Sequence, residues 1–249
     1  MTDSILTVDN LTVVYEQQVA VHDLCFDVPT GARVSVIGPN GAGKSTLMKA
    51  IMGLLPLQSG TIRCDAPLGY VPQYEDVNWD FPVTVRDVVM MGRTRHIGWL
   101  RWPNSAHWKA VEKALDRVGM ADLADRQVGE LSGGQRRRVF IARALAQEAE
   151  VLVLDEPFSG VDARAEGEIM QVLDDLHTAG MTILLSTHDL DLAFQRFDRV
   201  MALHHHMVAY GPPAEVYNRA TLAQLYGSRL ATLEDGQQVN IFVDDHHCC

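Results

Sequence analysis

Gly38-Pro39-Asn40-Gly41-Ala42-Gly43-Lys44-Ser45-Thr46 decides the fold of this chain. An apolar run, Val34-Ser35-Val36-Ile37, precedes it, and Leu47 to Leu55 follows with helical periodicity. Strand, glycine loop and helix in that order match the phosphate-binding pattern G-x-x-x-x-G-K-[ST]. Glycines let the backbone fold tightly around a phosphate and turn its N–H groups inward. The helix that starts near Lys44 adds the partial positive charge of its N-terminus. In this pattern Lys44 reaches the β- and γ-phosphates and Ser45 holds Mg²⁺. The stretch predicts a bound nucleoside triphosphate.

At 249 residues the chain fits one large domain, or one domain with a sizeable insertion. Such a length buries about three-quarters of the unfolded surface and needs no disulfide staples. The four cysteines agree, since Cys25 and Cys64 lie in strand-like runs and Cys248 and Cys249 close the sequence. Their spacing points to a reducing cytoplasm. No basic-then-apolar segment opens the sequence, so export is not expected. The formal charge of −11 argues against a nucleic-acid surface. It leaves ATP open, because screening over about 8 Å lets the loop amides and Lys44 outweigh distant carboxylates. No stretch approaches the ~20 apolar residues of a membrane span, so work at a membrane requires a partner.

Ile5 to Tyr15 alternates apolar and polar residues, and Leu24, Phe26 and Val28 share a strand face. Tyr15 is either a platform for an adenine ring or a core or edge-strand tyrosine. Pro29-Thr30-Gly31 turns the chain into the strand before the loop. A helix over Lys44–Gly53 leads to a short strand, Thr61 to Cys64. Leu68-Gly69-Tyr70-Val71 then reads as a strand that delivers Pro72 and Gln73 to its exposed end. A glutamine there touches Mg²⁺ or the attacking water, or simply solvates a loop.

Residues 74–150 change character. Thr84 with Asp87 marks a helix start, and Ser105 precedes Trp108, Val111, Leu115 and Val118 at helical spacing. Trp79, Phe81, Trp99, Trp102 and Trp108 crowd this region and are expected to form mostly a small core. Trp99 and Trp102, beside Arg93, Arg95 and Arg101, are alternatively a surface for a partner. Leu131-Ser132-Gly133-Gly134-Gln135 opens a helix through Ala146, with Ser132 as N-cap and two glycines that bare the first-turn amides. This is a second anion-ready helix end, or simply a capped helix.

Val151-Leu152-Val153-Leu154 is too short for a helix, and its unbroken apolarity points to a buried parallel strand. It ends in Asp155 and Glu156, which serve chemistry or merely cap the strand for solubility. Neighbours on a strand face opposite ways, so one carboxylate suits Mg²⁺ and the other a water. Ile169, Val172, Leu173 and Leu176 line the next helix. Thr182 to Thr187 is another buried strand, and His188 follows it. A lone histidine after a strand is commonly structural, but ligands of open α/β sheets bind at such strand ends, so His188 is expected to contact the γ-phosphate. Two strands around His204-His205-His206 and two short helical segments complete the fold. Asp244-Asp245-His246-His247-Cys248-Cys249 suits disorder or low-affinity metal capture better than a built metal site.

Taken together, these motifs resemble the ATP-binding subunits of ABC transporters over nearly the whole chain. Gly38–Thr46 is then Walker A, Gln73 the Q-loop glutamine, and Leu131–Gln135 the signature. Val151–Asp155 is Walker B with Glu156 after it, Ser159-Gly160-Val161-Asp162 the D-loop, and His188 the H-loop residue. Tyr15 stands where the family keeps an adenine-stacking aromatic. A finer likeness in Val71-Pro72-Gln73, Asn78–Val85, Met91-Gly92-Arg93 and Gly98-Trp99-Leu100-Arg101 is to the manganese, zinc and iron importer branch. Arg136 and Arg137 replace the glutamines that commonly follow the signature, with altered surface contacts expected.

The resemblance implies an α/β fold: a P-loop NTPase (RecA-like) core, an N-terminal antiparallel β subdomain and an inserted α-helical subdomain. Residues 1–73 and 151–249 would form the core, 74–150 the helical subdomain, and 244–249 a flexible tail. It further implies ATP and Mg²⁺, with Ser45, Gln73 and Asp155 as metal ligands and Glu156 as general base, assisted by His188, Gln73 and Lys44. The partners implied are a second copy of the chain, an integral membrane permease and, indirectly, an extracytoplasmic metal-binding protein. The place implied is the cytoplasmic face of the membrane. Import of a metal chelate or other solute, a non-transport ABC protein, and metal sensing through His246, His247, Cys248 and Cys249 are the rival readings.

Overall fold

The computed structural model describes residues 3–15, 18–73, 81–98, 101–227, 230–235 and 238–243, the last two segments as backbone alone. The first elements are β1 (Ser4–Tyr15), β2 (Gln18–Pro29), β3 (Arg33–Ile37), α1 (Lys44–Ile51), β4 (Ser59–Cys64) and β5 (Leu68–Val71). Four helices follow: α2 (Val85–Met91), α3 (Thr94–Ile97), α4 (Ser105–Arg117) and α5 (Gly133–Leu145). Next come β6 (Val151–Asp155), α6 (Ala163–Thr178), β7 (Thr182–Thr187), α7 (Leu190–Arg196), β8 (Arg199–His204) and β9 (His206–Gly211). The described chain closes with α8 (Pro213–Val216), α9 (Arg219–Tyr226), β10 (Leu230–Asp235) and β11 (Gln238–Val243). Two compact units divide these elements, the first from residues 1–7, 27–33 and 63–186, the second from 8–26, 34–62 and 187–249.

In the first unit β5, β6 and β7 run parallel, with Leu68 opposite Val151 and Val151 opposite Thr182. Every residue of β6 is buried, as expected of a parallel strand covered on both faces. Ile169, Val172, Leu173 and Leu176 of α6 are buried as their spacing requires. Thr84 and Asp87 form a full capping box at α2, while Asn104, one residue before the expected start, caps α4.

Phe81, Trp102 and Trp108, the three described aromatics expected in the core of residues 74–150, do not build it. Phe81 and Trp102 are exposed, Trp102 at 92%, and Trp108 is partly so. Valine, leucine, alanine and methionine, with Phe140 of α5, fill the space instead. At Gly92, the C-cap of α2, an added Cβ would lie 2.2 Å from the Arg143 carbonyl oxygen of α5. Arg93 is buried too, so it belongs to no partner-facing surface. Its Nη1 donates to the Ala146 carbonyl at 2.8 Å and to Glu148 Oε1 at 2.9 Å, at the C-terminal end of α5. Trp79 and Trp99 lie outside the described residues.

In the second unit β3 pairs parallel with β8, and β8 antiparallel with β9. Ile37, Ala193, Val200, Ala202, Leu222 and Leu225 share one apolar cluster there. The antiparallel sheet, in the order β2-β1-β4, departs from strict alternation. Burial runs Leu6, Val8, then Leu11, Val13. Asn10, in the left-handed region at φ 49°, adds the extra residue and bonds through Nδ2 to Asp23 Oδ1 at 2.8 Å. Cys25 and Cys64 are free thiols.

The Gly92 contact is checkable. Gly92→Ala is expected to cost about 1–3 kcal/mol by overpacking, seen as a lowered melting temperature in calorimetry. An unchanged melting temperature would contradict the close approach of α2 and α5.

Candidate functional site

The loop after β3 is held by backbone contacts from its own unit. Gly43, the N-cap of α1, has φ 98°, and an added Cβ would lie 2.5 Å from the Ala20 carbonyl oxygen. Only glycine meets both conditions. At Gly38 a Cβ would fall 2.2 Å from the Leu203 carbonyl oxygen. His205, in the left-handed turn between β8 and β9, donates its N–H to the Ala42 carbonyl at 2.9 Å. Its own carbonyl accepts the His22 N–H at 2.7 Å, and its ring Nδ1 lies 3.1 Å from the Ala20 carbonyl oxygen. The Lys44 ammonium is buried across the loop and donates to the carbonyls of Gly38 at 2.8 Å and Pro39 at 3.3 Å. Asn40 and Gly41 are exposed at the loop's tip, and Ser45 and Thr46 are half-buried in the first helical turn.

The start of α1 differs from the other helix ends. It has neither a side-chain cap nor an acidic first-turn residue. Every other described helix of seven or more residues has a side-chain cap: Thr84, Asn104, Ser132, Asp162, Asp189 or Asn218. First-turn N–H groups without a side-chain cap, beside a lysine and glycines, suit a phosphate. Tyr15, also in the second unit, is 55% exposed and so not a core residue. His188 is exposed too, and Asp189 after it caps α7 through the Leu192 N–H at 2.9 Å.

The first unit gathers Gln73, Asp155 and Glu156. Asp155 ends β6 buried, and Glu156 leaves the strand in the left-handed region at φ 45°. Gln73 Nε2 donates to Glu156 Oε2 at 3.4 Å. Ser186, opposite Asp155 in the β6–β7 register, donates its hydroxyl to Asp155 Oδ1 at 2.7 Å and accepts the Glu156 N–H at 2.9 Å. Asp155 Oδ2 is buried with no hydrogen-bond donor among the described residues, a fitting position for a hard cation. Burial first, and then the Asp155 charge, push the Tyr70 phenol well above its ordinary pKa.

Leu131 is buried just before α5, and Ser132 and Gln135 form a reciprocal capping box. The Gln135 N–H reaches Ser132 Oγ at 3.3 Å, and the Ser132 N–H reaches Gln135 Oε1 at 3.0 Å. The two glycines have different reasons to be there. Gly133 is exposed with room around it, whereas a Cβ on Gly134 would lie 2.5 Å from Ala165 Cβ of α6. Asp162 caps α6 through the Ala165 N–H at 2.9 Å.

The ABC transporter family pattern matches residues 21–159. This chain belongs to the ABC transporter family. A manganese transport system ATP-binding protein, MntB of Halalkalibacterium halodurans, is 45% identical over 95% of this ABC protein and 98% of its own length. A zinc transport system ATP-binding protein, TroB of Treponema pallidum, is 43% identical over 90% and 88%. Among solved structures, one described as an inward-facing, metal-chelate type ABC transporter superposes with a TM-score of 0.84 at 29% identity, covering 96% of both chains. The fold is therefore the α/β P-loop NTPase core with an antiparallel β subdomain and an inserted helical subdomain. The family implies ATP as ligand and ATP hydrolysis as activity.

One expectation needs correction. Arg137 makes no surface contact: it is 2% exposed, its Nη2 donating to the Ser159 carbonyl at 3.1 Å while Nη1 lies 3.5 Å from the Pro72 carbonyl oxygen. The cause is helical geometry, since Arg137 stands three residues after Gly134 and shares its buried face. Arg136 bonds the Val128 and Gly129 carbonyls just before the signature. Ser186 went unnoticed in the sequence; a hydroxyl in an otherwise apolar buried strand was the signal. His246, His247, Cys248 and Cys249 lie outside the described residues, and no metal-binding cluster occurs among the described ones.

Arg137→Ala removes a charged donor from buried carbonyls and is expected to cost about 3 kcal/mol, against less than about 1 kcal/mol for Arg136→Ala. Urea unfolding of the two variants checks this. Equal costs would contradict the difference in burial.

Proposed function

We propose that this ABC protein is the ATP-hydrolysing subunit of an importer for a divalent transition metal, manganese or zinc, with iron as a further candidate. The observation that carries the reading is the uncapped start of α1 behind Gly43 and Lys44. The named relatives supply the cargo. One ABC ATPase domain spans the chain, with residues 74–150 as the helical subdomain, 1–73 and 151–249 as the core, and 244–249 as a tail. No described helix is long and apolar enough to cross a membrane, and a separate permease supplies the path. The protein sits peripherally on its cytoplasmic face, and an extracytoplasmic metal-binding protein delivers cargo to the other side.

In this reading Tyr15 stacks on the adenine. The amides of Gly38 to Thr46 and the Lys44 ammonium hold the phosphates, Lys44 exchanging its loop carbonyls for phosphate oxygens. Ser45, Gln73 and Asp155 hold Mg²⁺, which when bound neutralises phosphate charge. Glu156 takes the proton of the attacking water, Gln73 orients that carboxylate, and His188 contacts the γ-phosphate. Two copies associate head to tail, each offering Leu131–Gln135 and Asp162 to the ATP of the other. Phe81, Trp102 and the neighbouring helical surface receive the permease, so closure of the pair is transmitted to it.

Glu156→Gln is expected to bind ATP normally but hydrolyse it ~10²–10⁴ times more slowly, and normal turnover would remove Glu156 from its role. Lys44→Ala should instead lose nucleotide affinity, measured with a fluorescent ATP analogue; tight binding would contradict the loop assignment. His188→Ala should bind ATP and turn over slowly. For the cargo, cells lacking the gene should lose uptake of radiolabelled manganese or zinc. The structural likeness to a metal-chelate transporter makes a chelate the second reading, and loss of chelate uptake with free-ion uptake intact would establish it instead.

A further inference from the structure

We propose that Ser186 is a positioning residue that sets both carboxylate residues of Walker B with a single hydroxyl. This deepens the reading above, in which Asp155 holds Mg²⁺ and Glu156 is the base. The direction of each bond follows from chemistry alone. The Glu156 backbone N–H can only donate, and an ionised Asp155 can only accept. The one hydroxyl hydrogen of Ser186 therefore points at Asp155 Oδ1, at 2.7 Å, and its lone pair receives the Glu156 N–H, at 2.9 Å. No rotation of the hydroxyl serves both partners in any other way.

Each bond has a separate consequence. The first occupies Oδ1 and leaves Oδ2 of Asp155 buried without a donor, so the oxygen available to a cation is selected. The second holds the backbone of Glu156 at φ 45°, a conformation that costs a side-chain-bearing residue on the order of 1–3 kcal/mol unless its surroundings enforce it. The Glu156 carboxylate is then met by Gln73 at 3.4 Å. Ser186 is itself fully buried, in register with Asp155 across parallel strands. An apolar side chain at this position could pack but would leave both groups without their partner. Groups that orient a metal ligand in this way are worth roughly 10–100-fold in metal affinity or activity.

The test uses Ser186→Ala, with Ser186→Thr retaining a hydroxyl and Ser186→Cys a near-isosteric, weaker donor. Ser186→Ala is expected to lower kcat by roughly 10–100-fold with KM for ATP within about twofold. Combined with Glu156→Gln, to remove turnover, it should raise by roughly tenfold or more the Mg²⁺ concentration that half-saturates Mg²⁺-dependent ATP binding. Ser186→Thr, or Ser186→Cys if Thr is too large to fold, should fall between wild type and Ala in both readouts. The proposal is overturned if Ser186→Ala keeps wild-type kcat and Mg²⁺ dependence. It is overturned equally if the hydroxyl- or thiol-bearing variant is as impaired as Ala at the same melting temperature. Asp155→Asn and Glu156→Gln distinguish the levels. Should these be inactive while Ser186→Ala is normal, only the role of Ser186 falls; should they be active, the reading beneath it falls.

Discussion

The amides that open α1 carry no side-chain cap, and this constraint governs what surrounds them. An uncapped helix start is tolerable only where water or a ligand supplies acceptors. Everything nearby keeps the loop open to one. Gly43 turns in the left-handed region, Gly38 is pressed against the Leu203 carbonyl, and the His205 turn pins the Ala42 carbonyl from behind. The only cation of the loop, Lys44, is folded over the loop carbonyls rather than out in solvent. A phosphate arriving there finds donors already oriented, so little ordering remains to be done on binding.

The first unit solves a different problem, which is how to keep two adjacent carboxylates apart in function. Chain direction does half of this, because Asp155 is the last buried residue of β6 while Glu156 has left the strand. The other half comes from across the sheet, where β7 places a hydroxyl against both. Asp155 is thereby a buried carboxylate with one oxygen that accepts no hydrogen bond among the described residues, and Glu156 is a partly exposed group beside Gln73. Different surroundings for like groups are the usual route to different roles.

Local features were legible in the sequence and distant ones were not. The glycine loop, the Leu68–Val71 strand, the helix starts at Thr84 and Ser132 and the buried run before Asp155 all depend on residues within a few positions of each other. Family motifs extended that reading to the whole fold. Arg137 was misjudged because its charge suggests a surface, although its spacing from Gly134 placed it on the packed face. The aromatics of residues 81–108 were misjudged for the opposite reason. Their apolarity suggests a core, but Phe81, Trp102 and Trp108 are left exposed while aliphatic side chains and Phe140 fill the interior. Ser186 depends on the register of two strands about thirty residues apart, and no local pattern encodes register of that kind.

The two glycine-flanked helix ends differ in what an anion meets. At α1 it finds no competing side chain and a lysine beside it. At α5 the Ser132 hydroxyl already accepts the Gln135 N–H, and the Gln135 side chain already satisfies Ser132. Arg136, the first charged residue of α5, is tied to the Val128 and Gly129 carbonyls. What remains at α5 is the N–H groups of Gly133 and Gly134 and one hydroxyl hydrogen, outside the capping box. Those donors are fewer than at α1, where the Lys44 ammonium stands beside uncapped first-turn amides. In the proposed pairing this difference would let nucleotide settle on α1 before a second copy reads it.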